Sequence, residues 1–365
     1  MSTVVRLPLS TPPRPRRAET PAPRLALLGT GVVGSAFLAR SERLRREGAP
    51  VPRFVWLSNS RALQSCAGDP LAALAQVRAA PPRSGAWAPW VEAEGLRPGD
   101  IVVDATASDS VAGWHSEWLT RGVHVVTANK LGNGGDLARA QAIAEARGAG
   151  GARYGDAATV GAGLPVLRTI RELVAGGDRI RAIEGVLSGS LAWLLDRYDD
   201  SRPFSDLVRE ARALGYTEPD PRIDLSGDDV RRKLLILARA AGVPLEAHQV
   251  KVDSLLPAGL AAAAAEDAEA RLAELDAPLR ERFVHAHRSG ATLRFVARFD
   301  ADGAEVGLRA LPPAHPLCAG HGTDNRVAIA SCRYAEQPLV IQGPGAGAEV
   351  TAAGLLDDVL SIVRG

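Results

Sequence analysis

The sequence predicts an α/β fold in two domains, and three observations predict it. The apolar run RLALL at Arg24 to Leu28 leads through the glycine-rich hexapeptide GTGVVG, Gly29 to Gly34, into a helical pattern that ends near Gly48. Further apolar runs, Ile101 to Ala105 and Val123 to Thr127, alternate with helical segments, which is the pattern of a parallel sheet with crossover helices. A length of 365 residues at 46% hydrophobic content supplies two cores of ordinary size.

The order strand, glycines, helix is the fingerprint of a dinucleotide-binding domain. Gly29 permits the tight turn, Gly31 lets backbone approach a pyrophosphate, and Gly34 lets helix and strand pack closely. Val32 and Val33 open the helix, whose free N–H groups face the phosphates. The second strand, Arg53 to Leu57, ends at Ser58-Asn59-Ser60-Arg61, with no acid for a ribose 2′-hydroxyl. Arg61 instead suits a 2′-phosphate, so the reading leans slightly to NADPH, or to use of both NADPH and NADH. Residues 62–100, with Pro81-Pro82, Trp87 and Trp90, read as an irregular connection. The next two strands deliver Thr106 and Lys130 to the carboxyl edge of the sheet, where ligands bind in open α/β folds.

A helix through Leu137 to Ala146 leads to the glycine turn TVGAGLP, Thr159 to Pro165. From Ile180, IRAIEGVLSGSLAWLLDRY reads as a strand, then a Ser188-Gly189-Ser190 turn able to cap a helix, then that helix. Leu214 to Gly242 then reads LGYTEPDPRIDLSGDDVRRKLLILARAAG. A stiff acidic turn bearing Glu218, Asp220 and Asp224 precedes a helix for which Ser226 is the expected N-cap. Asp229 and Lys233 lie four apart and share a face of that helix. The chain carries 43 Lys+Arg, yet lysine occurs only at 130, 233 and 251. Lysine shifts its pKa when desolvated and arginine does not, so two lysines in motif-like segments point to proton chemistry. Residues 255–290 read as helical and 291–310 as strands, and PLVIQGPGAGAEVTAAGLLDDVLSIV closes with strand, glycine turn and helix.

These motifs, from GTGVVG through VVTANK, TVGAGLP and the acidic turn, resemble the homoserine dehydrogenase family in order and wording over roughly residues 25–362. The resemblance implies a Rossmann-type domain at 23–152, a catalytic and dimerisation domain at 153–342, and a segment 343–365 that returns to the first domain. It implies NAD(P)H-dependent reduction of L-aspartate 4-semialdehyde to L-homoserine by a monofunctional homodimer. Lys233 is then the proton donor, Lys130 steadies the developing oxyanion and reaches the cofactor, and Glu218, Asp229 and Asp224 hold the substrate's amino group. Gly345 joins Gly29–Gly34 and Thr106 at the cofactor. The main-chain carbonyls of Ala157, Val160, Ala162 and Leu164 would hold a monovalent cation such as Na⁺.

Alternatives are another NAD(P)H-dependent amino-acid reductase on this scaffold, or a non-catalytic NADP(H)-binding regulator, which would be expected to lose a lysine. A net charge of +1 gives no footprint for nucleic acid or an anionic membrane. No apolar run is long enough to span a bilayer. Three cysteines, Cys66, Cys318 and Cys332, suit a reduced, cytoplasmic protein. His315, Cys318 and His321 lack a fourth ligand at zinc spacing. The segment 1–22, rich in Pro and Arg, reads as a disordered tail, with a transit peptide as its rival.

Overall fold

The computed structural model describes residues 22–85 and 87–365, so the tail expected at 1–22 falls, but for its last residue, outside them. These described residues form two six-stranded sheets. The first contains β1 (Arg24–Leu28), β2 (Arg53–Ser58), β3 (Leu63–Ser65), β4 (Ile101–Asp104), β5 (His124–Thr127) and β6 (Tyr154–Gly155). Their order is β3-β2-β1-β4-β5-β6, parallel throughout except for the β2–β3 hairpin. β1 and β4, at its centre, are buried along nearly their whole length, which is why they read as unbroken apolar runs.

The second sheet contains β7 (Ile180–Val186), β8 (Val250–Val252), β9 (Thr292–Asp300), β10 (Gly303–Leu311), β11 (Asp324–Ser331) and β12 (Leu339–Pro344). Its order is β12-β11-β7-β9-β10-β8, antiparallel except where β8 joins β10. The Asp228–Ala240 helix lies against it, burying Val230, Leu234, Leu235 and Leu237 in the same core as Phe295 and Phe299.

The last helix, Ala348–Arg364, leaves the second sheet and packs on the first. Its Leu355, Leu356 and Val359 are buried with Leu25, Leu27, Phe37 and Leu38, each leucine contributing about 2 kcal/mol through burial. The two halves are further tied by Arg239, whose guanidinium donates to the Asn133 and Gly135 carbonyls at 2.6 and 2.7 Å.

Two expectations are corrected. The helix expected to start at Ser226 is preceded by Gly227, which has φ +81 and takes the cap position. Ser226 is helical in backbone and its hydroxyl donates to the Ile223 carbonyl. A β-carbon at 227 would meet the Phe295 ring at 3.0 Å, so both backbone angle and packing select glycine. The connection at 62–100 is not wholly irregular. It holds β3 and a Pro70–Ala79 helix, N-capped by Asp69 through the Leu71 and Ala72 amides.

Candidate active site

The two ends of the candidate site are built from different sheets. At the first, Gly29 has φ +92, and a β-carbon there would fall 2.6 Å from the Ala105 carbonyl oxygen. At Gly34 it would fall 1.8 Å from the Gly29 carbonyl oxygen. Gly31 differs, because a β-carbon there meets nothing within 4 Å. Protein packing does not ask for glycine at 31; close approach of a ligand does. The Val32–Arg46 helix starts beside it with no side-chain cap, Val32 standing exposed at its tip, while Val33 packs on the core. Those amides are free for phosphate oxygens. Arg61 is exposed at the end of β2. A second arginine that sequence reasoning passed over, Arg78, donates to the Thr30 carbonyl at 3.2 Å, beside the glycine loop.

Thr106 and Lys130 emerge from β4 and β5 onto a buried scaffold. The Asp104 carboxylate, wholly buried, accepts from the Thr106 amide (2.9 Å), the Thr106 hydroxyl (2.7 Å), Asn129 Nδ2 (3.0 Å) and His115 Nε2 (3.0 Å). His115 Nδ1 meets the Tyr154 hydroxyl at 3.0 Å. Asn129 Oδ1 in turn accepts from the Leu131 amide, so Lys130 is held between two pinned residues. Burial pushes the Tyr154 phenol well above its ordinary value.

The second sheet brings the other groups to Lys130. Lys233, 8% exposed, donates to the Leu187 carbonyl at 2.6 Å and pairs with Asp229 Oδ2 at 2.9 Å. Asp229 Oδ1 lies 3.2 Å from Lys130 Nζ, so one carboxylate bridges both lysines. Burial raises the Asp229 carboxyl, but the charges of Lys233 and Lys130 overcome it and hold the group well below the usual carboxylate range. Burial likewise lowers Lys233, more than its pairing with Asp229 restores, and Lys130 lowers it further.

Beside the lysines opens a cleft of about 580 Å³, lined by Lys130, Ser188, Glu218, Asp224 and Asp229 among others. Asp224 organises its wall: Oδ1 accepts from the Ser190 hydroxyl at 2.7 Å and Oδ2 from the Glu218 amide at 2.9 Å. Ser188 caps the Gly189–Arg197 helix through the Leu191 amide and also reaches Ser190, so the turn both caps and shapes the cleft. Asp220 pairs with Arg222 at 2.6 Å. Glu218 is exposed, and no ion pair engages it among the described residues. The third lysine, Lys251, is exposed on the edge strand β8.

The Ala157–Leu164 loop lies between the C-terminal helix and the second core. Ala162 has φ +53, and its carbonyl faces Gly354, where a β-carbon would come within 2.6 Å. The Leu164 carbonyl accepts from the Val166 amide at 2.8 Å, while the Asp358 carboxylate takes the Ala157 amide at 2.9 Å. Neutral carbonyl oxygens suit a hard monovalent cation. Asp156, the neighbouring carboxylate, is consumed by Arg171 and Asn133. His315 faces Glu184 at 3.3 Å, and His321 faces Asp196 at 3.8 Å. No group of three or more His, Cys, Asp or Glu side chains converges as a metal site among the described residues.

A glycine-rich loop and a lysine that emerge from the same parallel sheet, with a second lysine and an acidic cleft supplied by the other half of the chain, define a dinucleotide-binding protein of two domains. Residues 29–155 match the family model described as homoserine dehydrogenase, NAD binding domain, and residues 165–360 match the model described as homoserine dehydrogenase. The chain belongs to the homoserine dehydrogenase family. It is 38% identical to the homoserine dehydrogenase of Saccharomyces cerevisiae over 272 residues, 72% of this chain and 75% of that one. It is 41% identical over 292 residues, 79% of this chain, to a chloroplastic bifunctional aspartokinase/homoserine dehydrogenase of Zea mays, and spans only 32% of that relative's length. Among solved structures, a Candida auris protein of unknown function superposes with a TM-score of 0.83 at 36% identity, covering 94% of this chain and 98% of its own.

Proposed function

We propose that this chain catalyses the reversible reduction of L-aspartate 4-semialdehyde to L-homoserine with NAD(P)H. The observation that carries the reading is the Lys130–Asp229–Lys233 bridge at the wall of an acidic cleft, in a chain whose glycine-loop helix is left uncapped.

When bound, the dinucleotide supplies the hydride. The protein's own task is to manage the charge that develops on the aldehyde oxygen. Lys233 gives that oxygen a proton and takes it back in the reverse direction. Its burial weakens its hold on the proton, which suits a group that must give that proton up in the reaction. Lys130 adds a fixed positive charge beside the same oxygen. Asp229 keeps both ammonium groups facing one point. With both of its oxygens occupied by lysines, the unpaired carboxylate left to receive the substrate's ammonium is Glu218, aligned by Asp224.

Arg61 and Arg78, flanking the glycine loop without an acid at the end of β2, favour NADPH over NADH. The family resemblance extends the proposal to a homodimer through the second sheet, open to sedimentation analysis. It also extends to a sodium ion at the carbonyls of Ala157, Val160, Ala162 and Leu164, open to melting in sodium against potassium salts. The deciding experiment for the reaction is growth of absorbance at the reduced-nicotinamide band with L-homoserine and NADP⁺ or NAD⁺. Growth that vanishes in Lys233→Ala supports the reading, and no growth with either cofactor removes it.

A further inference from the structure

Asn325 is the second residue of β11 and is 1% exposed. Its Nδ2 points at the Leu187 carbonyl, 3.4 Å away, the same oxygen that receives Lys233 Nζ. Its Oδ1 therefore points the other way, and it is buried with no partner. The other buried side-chain polar atoms without partners among the described residues are N–H groups or a hydroxyl; Asn325 Oδ1 alone is a carbonyl oxygen. Flipping the amide would not help, because it would set oxygen against the Leu187 carbonyl. An unpaired buried acceptor is costly, and its persistence calls for a donor that arrives from outside.

The surroundings indicate which donor. Gly345 lies directly on the amide: a β-carbon there would fall 1.9 Å from Asn325 Cγ and 2.4 Å from Oδ1. Gly345 belongs to the bare backbone that joins β12 to the C-terminal helix, where the chain crosses back to the nucleotide-binding sheet. Asn325 thus stands where the proton-transfer lysine and the returning segment meet. A hydride donor must put ring carbon 4 over the carbon whose oxygen Lys233 protonates. The ring's carboxamide is on the adjacent carbon, so its NH₂ would come within reach of the groups around Lys233. The substrate's ammonium is drawn instead to the carboxylates of the cleft, and the reacting aldehyde oxygen donates nothing.

We propose that Asn325 Oδ1 accepts a hydrogen bond from the nicotinamide carboxamide NH₂, fixing which face of the ring meets the substrate. Asn325 is then a cofactor-binding residue on the second sheet, distant in sequence from the glycine loop. The inference rests on a nicotinamide dinucleotide binding between the two sheets and is indifferent to which amino-acid aldehyde is reduced.

Calorimetric titration of the apo protein tests it with three probes: NADPH, its reduced 3-acetylpyridine analogue, in which methyl replaces the amide NH₂, and 2′-phospho-ADP-ribose, which lacks the ring. The wild type is expected to bind NADPH about tenfold more tightly than the acetyl analogue. Asn325→Leu is expected to weaken NADPH about tenfold, erase the difference between the two reduced dinucleotides, and leave 2′-phospho-ADP-ribose within about twofold. Equal binding of the two dinucleotides by the wild type overturns the proposal without any variant, so it stays exposed even if Asn325→Leu does not fold. A variant that weakens the ring-less probe as much as NADPH, or keeps the preference for the amide, also overturns it. Inactivity toward homoserine with the amide preference intact would instead remove the substrate reading and leave this one standing.

Discussion

Two polar clusters, one wholly buried around Asp104 and one half-buried around Asp229, are built from similar materials and end differently. Around Asp104 four donors fill the carboxylate: His115, Thr106 and Asn129 are locked to it, and Tyr154 is locked to His115. Around Asp229 two lysines share one carboxylate, Lys233 spends a second proton on the Leu187 carbonyl, and its third has no acceptor among the described residues. The first cluster is a foundation and the second is a tool. A saturated network in a low-dielectric interior rigidifies, whereas an incompletely satisfied one holds groups whose protonation is readily shifted. The saturated cluster pins Asn129 and Leu131, the neighbours of Lys130, so the rigid network aims one arm of the reactive one.

Perturbing each cluster sharpens this contrast. Lys233→Ala should lower kcat by about 10³-fold while NADPH still binds, read by steady-state kinetics and fluorescence titration. An unchanged kcat would take the lysine out of the mechanism. Asp104→Ala should show its effect in stability, about 3 kcal/mol in urea unfolding, because it strands buried donors. A loss of activity without a loss of stability would break the comparison. Glu218→Gln should raise KM for homoserine about tenfold with kcat little changed, since it weakens ground-state binding.

Asp229→Asn removes the charge that supports the Lys233 ammonium. The lysine already titrates below its ordinary value and should fall further. The rising limb of homoserine oxidation against pH should move toward acid, and a shift toward alkali would contradict the pairing.

The smallest effect is expected at Asp358. Burial, with the Asp156 charge adding to it, raises this carboxyl to about 6 against the Ala157 amide that lowers it. The folded protein holds that proton between about pH 4 and 6, where the unfolded chain has released it. Stability from this group therefore declines as pH rises through the window. Asp358→Asn should raise the melting temperature by about 2 °C at pH 7 and leave it unchanged at pH 4.

Much of the first half was legible because its signals are local. A buried strand, a glycine turn and a helix follow one another within 23 residues of sequence, and each has its own composition. The Pro70–Ala79 helix was passed over although Asp69 and Pro70 mark its start. Its alanine-rich faces barely differ, so periodicity gave no signal. At the substrate end, the lysines and the acidic turn stood out by rarity and by wording. Three things could not be read. Gly227 displaced Ser226 at the cap because a left-handed angle was needed beneath Phe295. Asp104 and Tyr154 meet through His115 only in three dimensions, and Asn325 becomes notable only once Leu187, Lys233 and Gly345 are seen around it. Such contacts join residues far apart in the chain and leave no periodic trace.

The returning C-terminal helix has a consequence for how the molecule is made. Between Thr127, at the end of β5, and Ala348 lie 220 residues, which include the whole of the second sheet. At about 5–20 residues per second of translation, the nucleotide-binding half waits roughly 10–45 s for the helix that covers Leu25, Leu27 and Phe37. For that interval it is a half-built domain with an open apolar face on the ribosome. The half that binds the dinucleotide is begun first and closed last, and a nascent chain interrupted before Ala348 would be a client for chaperones rather than a smaller working enzyme.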